Sequence, residues 1–273
     1  MRFKTKVVAA GNTAVKKRAR SRGPKPNFWQ RLVGEYQLAR NGIPKNIFIA
    51  SCYREAWPVF VLHYKEVLEI MQAIEQEVGL DGLLQLAMLI DVNPELEKHM
   101  KELVRIAQAV PDSAGSAYFT LESVLQHWPG ALIKLSSFIE PLGTLHRAVG
   151  KYAWDILLEI DEALHDSPNL AENFAELIRI RTGFGLNKEA WLKGLIGLRE
   201  LLTALQFVPD KMDALALLAE KFGERTDLVY ETLLNMLKEG LLALDNFDRT
   251  VQDLLAGGDS ALRRLKERVN AVY

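Results

Sequence analysis

Glu162 and His165 stand three residues apart in Glu162-Ala163-Leu164-His165. That spacing lets one helix face offer a carboxylate and an imidazole to the same metal ion, as in di-metal helical bundles. Such a site needs the pair twice. The residues three before His63, His99, His127 and His146 are Phe60, Leu96, Val124 and Gly143, so no second pair exists. Asp155, Glu159, Glu162 and Asp166 read instead as the solvated side of a helix whose apolar side carries Leu157, Ile160 and Leu164. No metal or other cofactor is expected.

Other candidate chemistry fails on context. Gly258-Asp259-Ser260-Ala261 resembles a nucleophilic serine turn, but that turn requires a preceding strand and a histidine base. Nothing strand-like precedes it, and Asp259 or Ser260 suffices as a helix cap. Gly183-Phe184-Gly185 is followed by Leu186 rather than a phosphate-binding lysine, so it is no phosphate loop. Gly194 and Gly197 fall inside a helical pattern with Trp191, Leu195, Leu198 and Leu202 and suit close helix contact; a membrane-surface role for that amphipathic stretch is the alternative. His63 lies on an apolar stripe between Phe60 and Val67 and reads as a core histidine bonded to a neighbour. The lone cysteine, Cys52, stands beside Tyr53 and Arg54; it excludes an internal disulfide. No catalytic residues are assigned.

The strongest chemical signal is charge. The 273 residues carry a net charge of -1, yet the distribution is lopsided. Met1 to Gly34 holds ten cations and no acid: Arg2, Lys4, Lys6, Lys16, Lys17, Arg18, Arg20, Arg22, Lys25 and Arg31. From Glu35 onward the chain has 24 bases and 35 acids, net -11. A dense cationic line is rewarded by nucleic-acid phosphates and by acidic partner surfaces. Gly11, Gly23, Pro24 and Pro26 oppose a long helix there, so residues 1–27 read as an extended basic arm. Phe28, Trp29 and Tyr36 follow, with Arg31 and Arg40 among them. Rings on which bases stack, beside cations that hold phosphate, make Trp29 and Arg31 binding candidates with the arm. The competing expectation is that Phe28, Trp29, Leu32 and Val33 staple the first helix to the body.

The elements behind the arm read as helices. Phe60, Val67, Met71, Ile74 and Val78 form one stripe over residues 58–78. Asn93-Pro94-Glu95 and Ser167-Pro168 are helix starts, as are Asn187, Pro209-Asp210, Thr226-Asp227 and Asp259. No segment alternates for long and no hairpin turn separates β-branched runs. The expected fold is all-α, a body of about a dozen helices over residues 28–273. Pro111–Ala117 is a candidate internal boundary and Thr182–Leu186 a second. No repeat recurs convincingly at the roughly 33–47-residue solenoid periods. The last helix buries Leu262, Leu265, Val269 and Val272 and is cationic through Arg263, Arg264, Lys266 and Arg268. Residues 35–258 between the two basic ends are net -13.

Composition, 49% hydrophobic and 25% charged, fits a soluble globular chain. A secretory core of about 7–15 apolar residues is lacking, Val7-Val8-Ala9-Ala10 being the longest such run in the arm, and no stretch reaches the roughly 18 apolar residues of a membrane span. Location in the cytoplasm or within a virus particle is expected. The function expected is a non-catalytic structural subunit of a larger assembly, a virion or ribonucleoprotein, anchored by the basic arm on RNA, DNA or an acidic surface. Its partners would be other protein subunits, and the basic ends on an acidic body also permit head-to-tail contact between copies. The alternative is a helical enzyme or small-ligand-binding protein whose pocket comes from residues distant in sequence.

Overall fold

The apolar stripes read from the sequence do fold as α-helices, and in the computed structural model those helices stack in a repeating order. Residues 25–43, 45–46, 56–74, 79–205 and 210–271 are described. They form α1 (Phe28–Arg40), α2 (Ala56–Leu62), α3 (Tyr64–Ala73), α4 (Gly79–Val92), α5 (Met100–Ala109), α6 (Ala114–His127) and α7 (Leu135–Val149). There follow α8 (Ala153–Asp166), α9 (Phe174–Gly183), α10 (Lys188–Ala204), α11 (Asp210–Phe222), α12 (Thr226–Lys238) and α13 (Phe247–Asn270). Among the described residues there is no strand, and the fold is all-α. Arg2, Lys4, Lys6, Lys16, Lys17, Arg18, Arg20 and Arg22 lie outside the described residues, as do Cys52, Val78 and Val272.

α1 packs chiefly on α2, and from α3 onward the main contacts of a helix are with the helix two places along the chain. From α3, the odd-numbered helices pack in the order α3, α5, α7, α9, α11, α13. The even ones from α2 to α8 form a parallel series, continued by α10 on α12. Arg199 of α10 bridges back to α8, donating to the Asp166 carboxylate (3.3 Å) and the Ala163 carbonyl (3.4 Å). Two layers of helices therefore lie against each other, each consecutive pair forming one hairpin. This is the layout of an α-solenoid.

The joints repeat as well. Pro94, Pro129 and Pro168 each open a six-residue 3-10 turn that leads into α5, α7 and α9. In each, the amide two residues after the proline donates to the carbonyl before it: Leu96 to Asn93, Ala131 to Trp128 and Leu170 to Ser167, all at 3.0 Å. Those three donors are buried, so every turn plants one apolar residue in the core. Inside the hairpins, Gly150, Gly185, Gly223 and Gly258 all have φ between 52° and 60°. That left-handed conformation reverses direction between the two helices and suits glycine alone. Gly258 marks the same joint inside α13, which is in effect a hairpin of two short helices.

Equivalent side chains recur. Tyr118 of α6 and Tyr230 of α12 are fully buried, and each hydroxyl donates to the carbonyl fifteen residues earlier, Leu103 and Leu215, both at 2.9 Å. Thr120 and Thr232, two residues further on, each return a hydroxyl to the carbonyl four residues back. A repeat is thus present that was not evident from the sequence.

Local outcomes differ from the sequence reading at three places. The stripe over residues 58–78 breaks at His63, because α2 must reach α4 while α3 serves α5. His63 is not a core histidine: its ring lies half-buried, 3.5 Å from Glu97 and 3.9 Å from Glu66. Glu159 does not belong to the solvated face with Asp155, Glu162 and Asp166. It turns inward and accepts from Arg181, whose side chain is only 2% exposed.

Arg181 ties three elements together. It donates to Glu159 of α8 at 2.9 and 2.8 Å and to the Gly185 carbonyl at 2.7 Å, and its guanidinium lies 5.4 Å from the Trp191 ring of α10. Burial pushes its pKa below the ordinary arginine value, against the pull of Glu159. Removing one partner of a buried pair strands the other charge and costs about 3–5 kcal/mol. Arg181→Met should therefore lower the urea midpoint strongly. The double variant Arg181→Met, Glu159→Leu should recover most of the loss, which equilibrium unfolding of the two proteins would measure.

Candidate functional site

A solenoid presents surfaces and ends, and at one place its surface departs from the ordinary mixture of charges. That place is α1, the first helix of the stack. Asn27 caps it: its side chain accepts from the Gln30 amide while the Gln30 side chain accepts from the Asn27 amide, both at 2.9 Å. α1 meets the body through one narrow face. Gly34 lies so close to Val61 of α2 that an added Cβ would collide with the Val61 carbonyl. Leu38 and Ile43 are fully buried beside it.

The polar part of this joint centres on Glu35. One of its oxygens, Oε1, accepts from Arg31 Nε (3.1 Å), Lys45 Nζ (3.2 Å) and Trp57 Nε1 (3.3 Å). Burial raises the Glu35 pKa, but the hydrogen bonds from Arg31, Trp57 and Lys45 outweigh it, so the carboxyl is held below its ordinary value. Lys25, Pro26, Arg31, Glu35, Lys45 and Trp57 line an open cleft of about 510 Å³ between α1 and α2.

The opposite side of α1 is bare. Phe28 and Trp29 are each 70% exposed and Tyr36 61%, with Leu32 and Val33 about half exposed between them. Phe28 and Trp29 meet edge to face at 5.3 Å. These residues therefore do not staple α1 to the body; Gly34 and Leu38 do. The structure places Lys25, Trp29 and Arg31 at this end, with Lys25 and Trp29 open to solvent and Arg31 engaged by Glu35. Glu35, Lys45 and Trp57 escaped the sequence reading. Arg31 and Glu35 share helical i,i+4 spacing, which could have flagged that pair, whereas Lys45 and Trp57 carry no local signal.

The other chemical candidates are dispersed. His165 pairs with Asp161 rather than Glu162, its Nδ1 lying 3.4 Å from Oδ2 and 3.0 Å from the Asp161 carbonyl oxygen. Asp161 is buried, and its Oδ1 has no hydrogen-bond partner among the described residues. Across the layer, burial and the nearby Asp161 raise the pKa of Glu122, against a hydrogen bond from Gln126. Among the described residues no three such groups converge as metal ligands. Ser260 is exposed on the last helix, with no histidine paired to it. Gly194 receives the Phe184 ring and Gly183 abuts the Ala219 carbonyl, so both serve helix packing.

No known family matches this chain, and neither a characterised protein nor a solved structure matches it.

Because the folded pKa of Glu35 lies below its unfolded value near 4.5, its contribution to α1 docking is full above that value. It is lost as pH falls through the lowered folded pKa. Hydrogen exchange of α1 amides, corrected for intrinsic rates, should show added local opening below about pH 4.5 in the native protein. Glu35→Gln should abolish that pH step while opening α1 more at neutral pH.

Proposed function

We propose that this protein is a non-catalytic structural subunit of a larger assembly, a virion or ribonucleoprotein, and that its basic N-terminal stretch holds it on nucleic acid or an acidic partner surface. The observation that carries the reading is the run of ten cations without an acid up to Gly34, joined directly to a helix with an exposed aromatic face. The stacked hairpins support a scaffold role, because a solenoid offers long continuous surfaces to partners. The described clefts fit this reading. Those between α7 and α9 and between α10 and α12 are open and carry charges partly paired to one another, such as Arg179 with Glu220 and Lys238 with Glu200.

Binding of this kind works by counterion release, so affinity falls linearly with the logarithm of salt concentration. The combined substitutions Lys16→Glu, Lys17→Glu, Arg18→Glu and Arg20→Glu in the full chain should flatten that dependence by about three units of slope, at roughly 0.7–0.9 per lost phosphate contact. Titration of an oligonucleotide across a salt series measures it, with circular dichroism confirming an unchanged helical body. Equal affinity and slope in the two proteins would show the basic stretch to be a bystander.

A further inference from the structure

The bare side of α1 is more specific than charge alone. At about 100° per residue, Phe28, Trp29, Leu32, Val33 and Tyr36 fall within one arc of roughly 140° along the helix. Each is exposed, and together they make a continuous apolar strip. Lys25 stands just before the first turn and Arg40 in the last, both exposed, so a cation sits at each end of the strip. The first acid of the chain, Glu35, falls just outside this arc at its Phe28 edge, where Arg31, Lys45 and Trp57 hold it. Gly34 pressed on Val61 keeps α1 rigid with the strip outward.

Three kinds of occupant could cover such a strip. A nucleic acid stacks bases on flat rings, and Leu32 and Val33 in the middle of the strip offer none. A second copy meeting this one strip to strip would bring its own ten cations against the first ten, which repel. A bilayer interface with anionic headgroups accepts both parts together. Aromatic and aliphatic side chains enter the boundary of headgroups and acyl chains, while lysine and arginine meet the phosphates. Among the described residues no helix is long and apolar enough to cross a membrane, so the contact is peripheral.

We propose that α1 docks on an anionic lipid surface, with Phe28, Trp29, Leu32, Val33 and Tyr36 in the interface and the acid-free basic stretch on the headgroups. This rests on the reading above that the N-terminal end binds a polyanion, and names that polyanion. Two signals act together, since an apolar strip of this size or a basic run alone gives only weak and reversible binding.

The test is cosedimentation of the full-length protein with phosphatidylcholine vesicles and with vesicles of phosphatidylcholine and phosphatidylserine, beside titration of a single-stranded oligonucleotide. The expected result is binding to the phosphatidylserine vesicles only, weakened roughly tenfold or more by Phe28→Ser with Trp29→Ser. Both residues are exposed, so the melting temperature of that variant should be unchanged. Brominated acyl chains should quench tryptophan emission in the native protein, and Trp29→Ser should remove most of that quenching. Equal vesicle binding by native protein and double variant would overturn the proposal. So would a dimer that the double variant dissociates, without vesicle binding. Oligonucleotide binding without vesicle binding would overturn it while leaving the polyanion reading intact; failure to bind either would overturn both.

Discussion

A single helical hairpin of this chain cannot cover its own apolar residues, and the architecture follows from that. In α9, Phe174, Leu177, Ile178 and Ile180 are all buried, over a span that wraps around more than one side of the helix. Its hairpin partner α10 can cover only part of this surface. The rest is covered by α7 on one flank and α11 on the other. The same demand applies to each helix in turn, so burial is completed only by adding neighbours, and one continuous core runs from Leu38 to Val269. Gly183 shows how tight the lateral joints are, with its backbone against the Ala219 carbonyl of α11. Polar groups are fitted into this packing only where a carbonyl or carboxylate waits for them, as with Tyr118, Tyr230 and Arg181.

Among the described residues, burial by addition leaves two ends. The second half of α13 closes one of them. Ala261, Leu262 and Val269 face inward while Arg263, Arg264 and Arg268 face solvent, a polar outer surface of the kind a terminal repeat requires. α1 does the reverse. It turns Gly34 and Leu38 to the body and leaves Phe28, Trp29, Leu32, Val33 and Tyr36 outside. Propensity does not explain this, since turning the helix would have buried Trp29 and Leu32. Gly34 against Val61 and the bonds from Lys45 and Trp57 to Glu35 fix the rotation of the helix, and the apolar strip is what that rotation exposes.

The helical class was legible because apolar spacing is a local property. Met100, Leu103 and Ala107 declare a helix face without reference to anything else in the chain. The repeat was hidden because its marks are single residues at uneven intervals. Pro94, Pro129 and Pro168 are 35 and 39 residues apart, and Gly150, Gly185, Gly223 and Gly258 are 35, 38 and 35 apart. The core positions between them exchange tyrosine, leucine and tryptophan freely, since a solenoid asks for volume and periodicity rather than identity. In the hairpin of α5 and α6, Val110-Pro111 stands where the other hairpins use glycine, which removes the mark where the series begins. Of the candidate site, the cations were plain from composition. That Glu35 faces Trp57 and Lys45 depends on how residues 22 and 10 positions away return to it, and no local pattern encodes that.

Within the even-numbered layer the surface changes along the stack, and this bears on what the scaffold can hold. On α8 the exposed side includes Asp155, Glu162 and Asp166, with Lys151 before the helix as the nearby base. On α10 and α12, Glu189, Glu200 and Glu231 are exposed with Lys193 and Lys238 between them. Lys193 and Lys238 are held by Glu189 and Glu200, so part of that charge is neutralised within the layer, while the carboxylates of Asp155 and Glu162 on α8 have no such cation among the described residues. The acidic stack thus lies between two basic ends, the cations up to Gly34 at one and the solvent-facing Arg263, Arg264 and Arg268 of α13 at the other.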